Sequence, residues 1–197
     1  MQPPATAAAK PEKRSRLTLW LILGVCAAPL IASYALFYWG RPAGQVNYGD
    51  LLEPRPIGEI KLIAPDGRSL ALSELRGQWV LLTINATTCA QRCRQKLVYM
   101  RQVRLAVGKE SDRIERLWLL AGTGAPDPKL LAEHPGVLVA RDPSGALASL
   151  LPAEQAPSEH IYVIDPLGNL MMRFPADPDP RRMLKDVSRL LRHSKWK

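Results

Sequence analysis

Apolar and polar positions along this chain change their period several times, and the first pattern is the longest. Residues 17–39 (LTLWLILGVCAAPLIASYALFYW) are 23 positions without a charge, enough to cross a hydrocarbon core of about 30 Å at about 1.5 Å per helical residue. They predict a transmembrane helix, which Pro29 at most kinks. The stretch is long and ends in aromatics, not at a small-residue cleavage site, so an uncleaved anchor is expected and not a signal peptide. From residue 57 onward, short apolar runs alternate with helical stretches, the pattern of an α/β domain. Runs at 59–64 and 68–70, split by Pro65, Asp66 and Gly67, predict a hairpin, and 73–77 reads as one helical turn stopped by Gly77. Residues 79–85 (WVLLTIN) are almost continuously apolar, as expected of a central strand buried on both faces. A helix is predicted over 91–107, with Leu97, Val98, Met100, Val103, Leu105 and Val107 toward the sheet. Strands follow at 114–120 and 136–140, then a short helix at 144–151. A terminal hairpin pairs 161–165 with 170–174, and a closing amphipathic helix at 179–192 turns Met183, Leu184, Val187, Leu190 and Leu191 inward.

Composition adds limits. At 197 residues, 47% hydrophobic and 23% charged, the chain has room for one globular domain beside the anchor. The expected organisation is a Pro/Ala-rich tail at 1–16, the membrane helix at 17–39, an extended linker at 40–56 and the α/β domain at 57–197. The net charge of +9 contains no arginine-rich stripe interleaved with aromatics, so nucleic acid is not an expected partner; the lipid bilayer is. Lys10, Lys13, Arg14 and Arg16 precede the apolar stretch and Arg41 alone follows it. By the positive-inside rule the N-terminus is cytoplasmic, which places a single-pass protein in the inner (cytoplasmic) membrane with its C-terminal domain in the periplasm. The basic positions Arg181, Arg182, Lys185, Arg189, Arg192, Lys195 and Lys197 read as a solvated helix face, with anionic lipid or an acidic partner as the alternative contact.

Candidate chemistry concentrates where the central strand hands over to a helix, in Asn85-Ala86-Thr87-Thr88-Cys89-Ala90-Gln91-Arg92-Cys93. Helical positions four apart share a face, so two sulfurs in a Cys-x-x-x-Cys can meet each other or one soft metal ion. A helix N-terminus and the nearby Arg92 and Arg94 would stabilise a thiolate, with Cys89 the more exposed of the two. Two buried cysteines acting as small hydrophobes are the competing reading; the polar flanks Thr87, Thr88, Gln91 and Arg92 argue against it. Cys26 reads as helix surface in the membrane, and His134 and His193 as solvated. No Gly-rich phosphate loop, Ser/His/Asp arrangement or paired-carboxylate motif is visible.

The succession of anchor, hairpin, strand, Cys-x-x-x-Cys at a helix start, and an Ile164-Asp165-Pro166-Leu167-Gly168 hairpin before a final helix resembles the Sco/SenC proteins, thioredoxin-fold assembly factors of cytochrome oxidase. The resemblance implies a single thioredoxin-like domain, a central mixed sheet flanked by helices. It also implies Cu(I) held by Cys89, Cys93 and a distant histidine, here His160, for delivery to the oxidase copper-centre subunit. Counted back from Asp165 without a gap, the family's histidine position falls on Pro157, so His160 matches after a local deletion. Thioether sulfur from Met171 or Met172 could complete a soft site; the competing reading of two adjacent methionines in a hairpin strand is one core and one surface residue. Three functions follow as expectations: a copper chaperone-like factor, a thiol-disulfide oxidoreductase using Cys89 and Cys93 as a redox pair, and a scaffold that keeps the fold without the chemistry. Cysteines that are buried or too far apart to meet would mark the scaffold.

Overall fold

A computed structural model describes residues 14–39 and 47–194. Most of the expected tail, residues 40–46 of the expected linker, and Lys195 and Lys197 lie outside the described residues. The chain divides into two units, Met1–Gln45 and Val46–Lys197. In the first, helix α1 (Arg14–Trp39) carries a span, Arg16–Leu36, that is long and apolar enough to cross a membrane. Its apolar side chains, among them Leu19, Trp20, Leu30 and Ile31, are exposed, and so is Cys26.

The second unit begins with a finding the sequence pattern did not announce. Asp50–Pro56, read above as the end of a linker, is strand β1, paired antiparallel at one edge of the sheet. Pro54, Arg55 and Pro56 hide it from a periodicity reading, yet an edge strand tolerates proline because one side of its backbone has no ladder to donate to. The register slips between Leu51 and Arg55, on either side of Pro54. The expected hairpin follows as β2 (Lys61–Ile63) and β3 (Ser69–Ala71), a separate two-stranded sheet. A 3-10 turn, Leu72–Leu75, ends before Gly77, whose φ of +90° only glycine adopts without strain.

The main sheet is then laid down by β4 (Trp79–Ala86), helix α2 (Gln91–Ala106), β5 (Ile114–Ala121), helix α3 (Pro128–Glu133), β6 (Leu138–Ala140), helix α4 (Ala146–Leu150), β7 (Tyr162–Ile164), β8 (Asn169–Arg173) and helix α5 (Pro180–His193). Its strand order is β1-β8-β7-β4-β5-β6, with β4, β5 and β6 parallel and β7, β8 and β1 antiparallel. This is the mixed sheet of a thioredoxin-like domain, flanked by helices as expected. Side chains alternate across a strand, so β4 faces two cores. Val80, Leu82 and Ile84 pack with Leu62, Leu72, Leu117, Leu119 and Leu147 on one side. Trp79 and Leu81 pack with Met100, Val103, Met183 and Val187 from α2 and α5 on the other. Each such aliphatic side chain contributes roughly 1.5–3 kcal/mol by leaving water. Two residues expected inside α2 are not: Val98 and Leu105 are exposed, 38% and 62%, because the inward stripe runs through Cys93, Lys96, Leu97, Met100 and Val103.

Candidate functional site

The central strand ends at the exposed Ala86, and the chain turns before α2 begins at Gln91. The turn is closed by the Cys89 amide, which donates to the Ala86 carbonyl at 3.1 Å. Cys89 is not itself helical: it has φ +39°, in the left-handed region that a side-chain-bearing residue rarely adopts. Cys93 sits in the first turn of α2. The two sulfurs therefore meet because a left-handed turn folds Cys89 back over the helix start, and not because consecutive helical turns stack them. They form a disulfide with the Cα atoms 5.1 Å apart, within the range such a bond requires. The Cys89 carbonyl accepts from Arg94 Nε at 3.2 Å, which holds the turn from the outside.

The expectation that Cys89 would be the more exposed sulfur is corrected. Cys89 is 1% and Cys93 3% exposed, packed among Leu97, Trp118, Leu120 and Leu130. The neighbouring Thr88, Ala90, Gln91 and Arg92 are exposed and face the other way, so the disulfide lies directly under the surface of the turn. Burial is what the scaffold reading expects; a bonded pair at a strand-to-helix junction is what the redox reading expects.

Beneath α2 lies a polar network that the sequence reading missed. Along β4 the sequence places Thr83 and Asn85 on the α2 side, in line with Trp79 and Leu81. Asn85 Nδ2 donates to Thr83 Oγ1 at 2.8 Å, and Thr83 Oγ1 donates to the His160 carbonyl at 3.4 Å. Lys96, only 3% exposed, reaches in from α2 to donate to Asn85 Oδ1 at 3.4 Å and to the Ser158 carbonyl. Trp118 Nε1 closes the network on the Asn85 carbonyl at 3.4 Å. Burial drives the Lys96 pKa down to about 8, opposed by Glu159 and reinforced by Arg92. Arg92 and Glu159 are paired at 2.8 Å over the top. One signal was available: Cys93, Lys96, Leu97, Met100 and Val103 keep the i, i+3, i+4 spacing of an inward stripe, with a lysine in it.

His160 is buried, 8% exposed, at the end of the 3-10 turn Pro157–Glu159. Its Nδ1 is 2.8 Å from the Phe174 carbonyl, a contact that fits an Nδ1–H donor and leaves Nε2 as the basic nitrogen. The structure joins Cys89 to Cys93 as a disulfide, and His160 lies at the start of the segment that leads into β7. Among the described residues no three His, Cys, Asp or Glu side chains converge as a metal-holding group. While Cys89 and Cys93 are bonded, their sulfurs offer no thiolate; the reduced pair would. Met172 is core, and Met171 packs against the same core. His134, read as solvated, is 3% exposed instead, because α3 and the loop after it fold over β5; His193 is exposed as expected.

Among solved structures, yeast Sco1 with copper bound superposes with a TM-score of 0.59 at 15% identity, covering 73% of this chain and 96% of that one. Apo Sco1 of Thermus thermophilus gives 0.56 at 20%, covering 76% and 98%. The thioredoxin domain of a thiol-disulfide oxidoreductase from Bacteroides vulgatus gives 0.54 at 16%, covering 72% and 99%. At these identities the likeness is one of fold, shared equally by copper-binding and thiol-exchange proteins. No curated protein matches the sequence. A family profile does match, over residues 79–194, from the central strand through the last helix. That is more than half of the chain, which therefore belongs to the family described as the transmembrane-like, thioredoxin-like C-terminal domain.

Proposed function

We propose that the protein is a membrane-anchored thioredoxin-fold factor that assembles the copper centre of a respiratory cytochrome c oxidase by thiol-disulfide exchange through Cys89 and Cys93. The carrying observation is the Cys89–Cys93 pair itself, bonded at the junction of β4 and α2 beneath an exposed turn. Reduced, one thiolate attacks a disulfide in the oxidase subunit, forming a mixed disulfide and expelling one client thiolate. The other cysteine then attacks the mixed disulfide, releases the second client thiolate and closes Cys89–Cys93. Two electrons and two protons pass to the client, and a separate dithiol donor must reduce the pair for the next turnover. Helix α1 tethers the domain to the inner membrane, N-terminus in the cytoplasm and domain in the periplasm, where the basic residues before the apolar span favour it.

A second reading, copper delivery, is supported by the Sco structures of the same fold that hold copper. Here Cu(I) is the cargo, and the reduced Cys89 and Cys93 are soft donors suited to it, with His160 as the third. The two readings separate in one set of variants of the full chain in detergent. After reduction, Cys89→Ser or Cys93→Ser should trap a mixed disulfide with a cystine-containing peptide, and Cu(I) titration of His160→Ala should match the wild type. No adduct from either serine variant would end the exchange reading. A large loss of Cu(I) affinity in His160→Ala, comparable to that in Cys89→Ser, would favour copper delivery.

A further inference from the structure

Strand β5 turns Ile114, Arg116, Trp118 and Leu120 to the face that α2 covers. Three are apolar and buried, and Arg116 is buried to the same degree, 3% exposed. Its Nη2 donates to the Pro135 carbonyl, while its Nε is buried without a partner. Two more guanidiniums approach from α2. Arg104 Nε donates to the carbonyls of Ile114 at 2.8 Å and Ser111 at 3.2 Å, and Arg101 Nη1 to that of Glu133 at 3.3 Å. Carbonyls fix these groups without neutralising them, and among the described residues none of the three forms an ion pair. Glu115 and Glu133 act on the cluster only through the field. His134 lies in the same loop, 3% exposed, with Nδ1 lacking a partner.

Gly136 brings bare backbone up to the arginine pair. It has φ +76°, and a Cβ built on it would stand 3.5 Å from Arg116 Nη2 and 3.9 Å from Arg104 Nη1, with no other heavy atom as near. A buried, unpaired guanidinium is costly, and an anion bridging two of them would recover that cost through charge-assisted hydrogen bonds. We propose that Arg104, Arg116, Gly136 and His134 form a binding site for a phosphate-type oxyanion. Planar guanidiniums suit phosphate oxygens, and the unpartnered imidazole nitrogen supplies one more polar contact. The ligand has two possible sources, free phosphate and the phosphodiester of an anionic lipid.

Calorimetric titration of the full chain in neutral detergent, with inorganic phosphate against chloride at matched ionic strength, tests the site. The second arm uses nanodiscs of neutral lipid with and without phosphatidylglycerol. Saturable phosphate binding, weakened about tenfold or more in Arg104→Gln and in His134→Ala, is the expected result. His134→Ala leaves the Arg104 carbonyl contacts and the φ of Gly136 unchanged, so it serves if Arg104→Gln does not fold. Binding seen only on anionic nanodiscs and lost in both variants supports the same site with a headgroup as its ligand. No phosphate-specific binding in either arm, or binding that both variants leave unchanged, overturns the proposal.

Discussion

At Cys89 a side-chain-bearing residue is held at φ +39°, a conformation that costs on the order of 1–2 kcal/mol. The disulfide and the Arg94 contact hold it there, so reduction gives the turn freedom to relax and the sulfur a way out of its burial. Below it, Lys96 carries a cost of another kind. Its folded pKa is about 8 against an ordinary 10.5, chiefly from desolvation. Between these values the unfolded chain binds more protons than the folded one, so stability should rise with pH across that window. Below pH 8 the full cost of burying the charge is present. Urea unfolding of wild type and Lys96→Met across pH 7.5–10.5 should show the wild type gaining on the variant as pH climbs; a constant difference would contradict the burial of a charged Lys96. The cysteine pair was legible because its spacing and polar flanks are local features. The partners Thr83, Asn85 and Lys96 were not, because each looks ordinary until β4 and α2 are packed together. His160 was legible as a residue, but its engagement by Phe174 is set by a residue 14 positions away, just past β8.

Helix α5 fastens the start of the domain. Buried Asp186 accepts from the amides of Tyr48 at 2.6 Å and Gly49 at 2.9 Å. Tyr48 Oη accepts from the Asp179 amide at 2.9 Å, and the Arg182 guanidinium lies 4.0 Å from the centre of the Tyr48 ring. Arg189 Nη1 reaches Asn47 Oδ1 at 3.0 Å, so part of the face read as solvated is used to hold this segment. A Cβ at Gly49 would come within 2.9 Å of Met172, which is why the chain passes here without a side chain. Asp186→Ala should cost about 1.5–3 kcal/mol in urea unfolding, since two amides lose a charged acceptor, and Asp186→Asn should cost less. An unchanged midpoint in Asp186→Ala would show that the clamp contributes nothing. Central β4 and β5 were readable from continuous apolar runs; β1 was not, because its pairing depends on β8, far along the chain. Helix α3 also went unread, although Asp127 capping the Lys129 amide and Pro128 at its first position are ordinary start signals.

For the molecule as a whole, one span fit for a membrane among the described residues and a thioredoxin-like domain leave the use of the Cys89–Cys93 bond as the deciding question. An exchange protein must cycle the bond while folded; a scaffold keeps it as an internal staple. Burial alone does not choose between them, because a turn that moves can uncover sulfurs that a static core hides. Equilibrium titration of the full chain in detergent against defined dithiol/disulfide buffers, with alkylation counting the free thiols, decides it. Our account predicts reversible two-electron reduction of Cys89–Cys93 in the folded protein, with a midpoint between about −180 and −270 mV, the range of dithiol exchange proteins. A midpoint below about −300 mV, or thiols that appear only when the domain unfolds, would contradict it.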